Sequence, residues 1–163
     1  MGMFGMFGKK EGGFDAATGE WGSDNVGMMK MLAGMPHMMR KPMMKGRINQ
    51  LLSLTEEKRQ ESIRDMIGAF HSSKVKPKAR ESLVATRVEI VGELSDEKRR
   101  TIISSRSEAL KVAPELDQQD RDVQKKVLPK LSKSTRDAFQ ATWDKVHNEY
   151  RLTSHPERVL RPG

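Results

Sequence analysis

Thioether sulfur is a soft donor suited to copper(I), and this chain concentrates it: eleven of its twelve methionines lie at or before Met44. Met1-x-Met3-x-x-Met6 and the stretch from Met28 to Met44, with His37 inside it, supply donors in number but in no fixed spacing. The chain has no cysteine, so there is no thiolate to complete a metal site, no disulfide and no cysteine nucleophile. The same side chain has a second use. Methionine is unbranched and polarizable and adapts to irregular apolar surfaces, so a glycine-interrupted run of Met and Phe points first to docking in an apolar groove. The expected anchors are Met3, Phe4, Met6, Phe7, Phe14, Trp21, Met28, Met29, Met31, Met35, Met38, Met39, Met43 and Met44. Lys30, Arg40, Lys41 and Lys45 among these apolar residues give the stretch the composition of a segment that contacts a membrane surface. Pro36, Pro42 and Gly34 interrupt it as a continuous amphipathic helix.

Basic runs offer phosphate contacts. Lys74, Lys76, Lys78 and Arg80 form one, Lys98, Arg99 and Arg100 a second, and Lys125, Lys126, Lys130 and Lys133 a third. Acidic residues are interleaved, and no aromatic-basic pattern provides a platform for stacked bases. Catalytic chemistry finds less support. His37, His71, His147 and His155 make no HExxH pair and no phosphate-binding glycine loop occurs. Glu56-Glu57 and Asp96-Glu97 read as charges at helix starts, where they meet the positive end of the helix dipole. Neither a metal nor an organic cofactor is expected.

The elements that would hold these residues divide the chain. Residues 1–46 read as a Met/Gly-rich arm, in which Gly2, Gly5, Gly8, Gly12, Gly13, Gly19 and Gly22 predict no stable isolated helix or strand before Ser23. A short helix from Ser23 or Asp24 to Ala33 is predicted, stopped by Gly34 and Pro36, with an extended or turn segment from His37 to Lys41 between the two prolines. Residues 47–150 read as a helical domain. Arg47 to Ser53 is a short apolar turn or helix; Thr55 caps a helix with Ile63, Met66, Ile67 and Phe70 on one face. Pro77 opens a helix through Leu83, Val84, Val88 and Val91 that ends near Gly92, and Ser95 caps another with Ile102, Ile103, Ala109 and Leu110 inward, ended by Pro114. Asp117 to Lys130 is next, and Ser134 with Asp137 predicts an acidic capping box for a last helix through Phe139, Trp143, Val146 and Tyr150. Residues 151–163 read as an extended tail.

An internal repeat runs through the helical part: Leu54-Thr-Glu-Glu-Lys-Arg59 returns as Leu94-Ser-Asp-Glu-Lys-Arg99 and more faintly as Leu131-Ser-Lys-Ser-Thr-Arg136. The unit is a helix pair of roughly 40 residues. The expected fold is therefore all-α, a small helical bundle or short helical-hairpin repeat of about five to six helices behind the arm, with the compact bundle favoured.

Eight aromatic residues among 163 suit a shallow aliphatic core, and 32% charged residues suit small helices with solvated outer faces. Net charge is +8, of which residues 1–46 carry +2 and the remainder +6. That balance permits nucleic acid, an anionic membrane or an acidic protein as partner. Position 6 is Met where a myristoylation signal requires Ser or Thr, Lys9 and Lys10 interrupt any export-type apolar core, and no apolar run approaches a membrane span. A cytoplasmic location is expected. The leading functional expectation is a non-catalytic accessory or assembly subunit of a larger protein complex, docking through the arm. The alternative is a basic nucleic-acid-binding module, and copper(I) handling or membrane-surface association stand behind both.

Overall fold

The structure, a computed structural model, describes the backbone of residues 14–15, 20–21 and 25–154 and the side chains of residues 25–149. The chain is all-α. Phe14–Asp15 and Glu20–Trp21 form a two-residue antiparallel ladder with Phe14 opposite Trp21, and seven α-helices follow among the described residues. They are α1 (Asn25–Ala33), α2 (His37–Leu52), α3 (Glu56–Phe70), α4 (Pro77–Glu93), α5 (Asp96–Ala109), α6 (Pro114–Val127) and α7 (Lys133–Ser154), with 3-10 turns at Leu110–Val112 and Leu128–Lys130.

Helix α4 is the centre. Leu83, Val84, Thr86, Arg87, Val88, Ile90, Val91 and Gly92 are buried on all its sides, as expected of a helix enclosed by others and not of one lying on a surface. It packs against α1, α2, α6 and α7, while α3, α5 and α7 pack in succession beside it. At Gly92 an added Cβ would lie 2.6 Å from Thr135 Cγ2 and 2.7 Å from the Thr135 carbonyl oxygen, so α7 crosses α4 where only glycine leaves room.

The helix starts share a device wider than the sequence repeat. In α2, α3, α4 and α5 the fourth residue is an arginine that reaches back to the carbonyl of the apolar residue before the N-cap. Arg40 Nη1 donates to Met35 O at 3.1 Å, Arg59 Nη2 to Leu54 O at 2.8 Å, Arg80 Nη2 to Val75 O at 3.1 Å and Arg99 Nη1 to Leu94 O at 2.7 Å. Three of these forks also hold the end of the preceding helix: Arg59 Nε donates to Leu51 O (3.0 Å), Arg80 Nε to Phe70 O (3.0 Å) and Arg99 Nη1 to Gly92 O (3.2 Å). The last carbonyls of a helix have no partner within it, and a five-donor planar guanidinium can serve several at once. The pattern is an apolar residue and, five positions on, an arginine; Leu131 and Arg136 repeat it at α7. Helix α6 departs from it, with Asp117 in the arginine's place.

Six expectations are corrected. His37 to Lys41 is helical, and Gly46 lies inside α2, so the arm does not end there. Pro42 is one turn into α2 on its exposed side and forfeits a single ladder bond. The buried stripe Arg40, Met44, Ile48 and Leu51 outweighs that loss. Pro114 opens α6 and does not end α5, which passes into the 3-10 turn four residues earlier. The cap of α7 is Ser132, whose Oγ accepts from Thr135 N at 3.4 Å; Ser134 is already helical and Asp137 binds Lys133 Nζ at 2.5 Å. Finally, α7 runs past Tyr150 to Ser154, and the helices number seven where five to six were expected.

Candidate functional site

The methionines fall into three groups. Helix α1 turns Met28, Met29 and Leu32 into the core, and α2 adds Met44, joining Met66 of α3. Burying a methionine side chain is worth roughly 1.5–3 kcal/mol, so these three members of the expected docking set hold the fold. Met35 and Met43 are half-buried against the core. Met31, Met38 and Met39 face solvent, 41%, 79% and 57% exposed. Together with Val112 they are the exposed large hydrophobics of the described residues. All three lie within nine residues around the turn from α1 to α2. That turn is pinned by Arg40, which donates to Met35 O and to Thr86 Oγ1 of α4 (3.1 Å each). Met3, Phe4, Met6 and Phe7 lie outside the described residues, as do the side chains of Phe14 and Trp21.

Beside this corner α2 is tied to α4 by charge. Lys41 Nζ donates to Glu89 Oε1 at 2.6 Å and Glu93 Oε1 at 2.7 Å, and His37 Nε2 lies 3.0 Å from Glu89 Oε2. The bonds to Glu89 and Glu93 raise the Lys41 ammonium above its ordinary range. Partial burial alone would push the Glu89 carboxyl up, but Lys41 and His37 bring it below the ordinary value.

The second concentration of chemistry is internal, and no sequence motif marks it. Asp120 of α6 is 0% exposed. It accepts from Arg87 of α4 through both nitrogens (Nη1–Oδ1 3.0 Å, Nη2–Oδ2 2.9 Å) and from Arg106 of α5 (Nε 3.0 Å, Nη2 2.8 Å), with His71 Nε2 3.0 Å from Oδ1. Gln124 Oε1 takes a further bond from Arg87 at 2.9 Å. Burial by itself would raise the Asp120 carboxyl, yet the Arg87 guanidinium, the His71 bond and Arg106 hold it far below the usual carboxylate range. Arg106 Nη1 is buried without a well-angled hydrogen bond although Asp117 Oδ1 is 2.9 Å away, so that pairing is charge contact without directional bonding. A cavity of ≈ 30 Å³ adjoins the cluster, lined by Ile63, Ile67, Ile103, Arg87, Arg106 and Trp143 among others, roughly the room of a water or two. Each donor of the cluster already faces a carboxylate or carboxamide, an arrangement that fixes α4, α5 and α6 together and leaves Asp120 no access to a substrate.

Trp143 closes the outer side. Arg106 and Arg121 lie 4.9 and 5.3 Å from its ring centroid, Phe139 stacks at 5.8 Å, and the His147 ring lies tilted against it at 4.3 Å. His147 Nδ1 donates to Trp143 O at 2.8 Å. Burial depresses the His147 pKa, more than the Trp143 carbonyl raises it.

The basic runs separate into working and free cations. Arg80 and Arg99, expected at phosphate, are committed to backbone carbonyls, and Arg99 also binds Thr142 Oγ1 at 2.8 Å and Asp96. Arg100 pairs with Glu149 at 2.5 Å. Lys74, Lys76, Lys78 and Lys98 are exposed. Lys130 Nζ approaches Glu81 Oε1 to 3.9 Å, which brings the Leu128–Lys130 turn to the start of α4 and so gathers the first and third basic runs at one end.

Among the described residues no group of three or more His, Asp or Glu side chains is placed to hold a metal ion, and no helix is long and apolar enough to cross a membrane. The signal that would have found Asp120 is its place in α6, an acidic residue on the inward face among Leu116, Val123 and Val127, one turn after Asp117. No protein-family model, curated protein or solved structure matches the chain.

Proposed function

We propose that the protein is a non-catalytic helical accessory or assembly subunit that docks on a larger cytoplasmic protein complex through the α1–α2 corner. The observation that carries this reading is the exposure of Met31, Met38 and Met39 on a corner whose backbone is fixed by Arg40. Apolar side chains on a rigid mount, adaptable in shape, suit a surface made for a partner. The residues before Asn25 share the same Met- and Phe-rich composition.

The test replaces Met31, Met38 and Met39 by Gln in the full chain and compares co-purified proteins from native lysate, with and without nuclease. Loss of a defined set of partners, insensitive to nuclease, is the expected result. A triple variant that keeps all its partners overturns the reading.

A nucleic-acid-binding module is the second reading, favoured by the meeting of two basic runs where Lys130 approaches Glu81. It predicts association that nuclease abolishes and that falls steeply with salt.

A further inference from the structure

Helix α2 presents Met38, Met39, Pro42, Lys45, Gly46 and Asn49 to solvent. These positions recur at i, i+1, i+4, i+7, i+8 and i+11, so they form one strip down the helix. At 1.5 Å per residue the strip is about 16 Å long, three turns of a facing helix. An added Cβ at Gly46 would meet nothing within 4 Å, so the middle of the strip is bare backbone that another helix can approach closely, its ridge seated between the rows at Met38–Pro42 and Lys45–Asn49.

Charge narrows the partner. From Asn25 to Thr55 there is no Asp or Glu, against Lys30, Arg40, Lys41, Lys45 and Arg47. Arg40 is buried, Lys41 is paired with Glu89 and Glu93, and Arg47 donates to Gln50. Lys30 and Lys45 are exposed, with no carboxylate partner among the described residues. An acidic partner seated on the strip gains pairing at Lys45 and is steered by a net charge of +8, while a basic one meets like charge. A bilayer would require a continuous apolar face, and Pro42, Lys45, Gly46 and Asn49 interrupt this one.

Building on the docking reading above, we propose that the α2 strip seats an amphipathic helix of the partner, its apolar face on Met38 and Met39 and its flanking positions acidic.

The experiment uses the full chain with isotopically labelled methionine methyl groups. One probe is a designed ~18-residue peptide, about five helical turns, with Leu on one face and Glu on the other. The second has Lys in place of Glu, and the third is vesicles of phosphatidylglycerol and phosphatidylcholine. With the Glu peptide, the Met38 and Met39 methyl signals shift while those of buried Met28, Met29, Met44 and Met66 stay. Met38→Gln with Met39→Gln lowers the affinity about tenfold or more, with an unchanged thermal midpoint showing the fold intact. Raising salt from about 0.05 to 0.5 M weakens binding severalfold. Equal shifts from both peptides overturn the acidic partner and leave the docking face standing. Shifts with vesicles alone overturn it in favour of a membrane. No Met38 or Met39 shift with any probe overturns the helix proposal, and the co-purification experiment then decides separately whether the corner docks.

Discussion

The α1–α2 corner and the interior between α4, α5 and α6 are opposites. Inside, Asp120, Arg87 and Arg106 are ionised groups held out of water, and their cost is met by fitting each to the others. At the corner, Met31, Met38 and Met39 are apolar groups exposed to water. A buried charge cluster tolerates little change because every member is a partner of another. An exposed methionine tolerates much, because few neighbours depend on it.

The sharpest way to probe that contrast is to cut the interior. Asp120→Ala leaves two guanidiniums facing each other in the core and is expected to cost about 3–5 kcal/mol, read as a lowered urea midpoint and thermal midpoint by circular dichroism. Arg99→Lys comes next. A single ammonium cannot span the carbonyls of Gly92 and Leu94 and the Thr142 hydroxyl, so a loss of about 1.5–3 kcal/mol is expected, while Lys98→Ala next to it stays within roughly 0.5 kcal/mol. Gly92→Ala drives a methyl group into the Thr135 carbonyl and is expected to cost roughly 1–3 kcal/mol by separating α4 from α7.

Acid exposes the same interior in two steps. His147 binds its proton more weakly folded than unfolded, so stability is complete above about pH 6.5 and begins to fall below it. Asp120 likewise binds its proton more weakly when folded, so its contribution is present above about pH 4 and is lost below. Urea midpoints measured from pH 8 to 3 should show both declines, and His147→Phe should remove the upper one. Smallest of all is the expected stability effect of Met31→Gln, Met38→Gln and Met39→Gln, within about 0.5 kcal/mol each. A large loss of stability in that triple variant would erase the contrast, since the corner would then be part of the core.

Helices α3, α4 and α5 were legible because their starts carry local signals: Thr55 and Ser95 accept from the amides of Lys58 and Lys98, and Pro77 stands in a first turn. The repeat at Leu54, Leu94 and Leu131 was legible as a pattern of letters, but the letter that matters is the arginine. Once its bond is seen, Met35–Arg40 and Val75–Arg80 join the series, although Pro36 and Lys76 replace the Ser or Thr that made the other copies visible. Met28, Met29 and Met44 could not be separated from Met31, Met38 and Met39 by residue type. Only the orientation of α1 and α2 against α3 and α4 assigns them to inside or outside, and that orientation is set by long-range packing. Arg80 and Arg99 look like surface cations in the sequence for a related reason: their carbonyl partners are backbone, present at every position and so invisible in composition.

The arginine forks also bear on how the chain acquires its shape during synthesis. Each links two residues five apart, so a corner can close as soon as its own half-dozen residues are free, with almost no chain entropy to overcome. Helices α2 to α5 would then take their turn directions one after another from the N-terminal side, and α4 would be enclosed late, when α6 and α7 arrive with Asp120 and Thr135. The spacing from apolar residue to arginine is thus the rigid measure of this protein. A single residue inserted between Leu54 and Arg59, or between Leu94 and Arg99, would send the following helix off in the wrong direction.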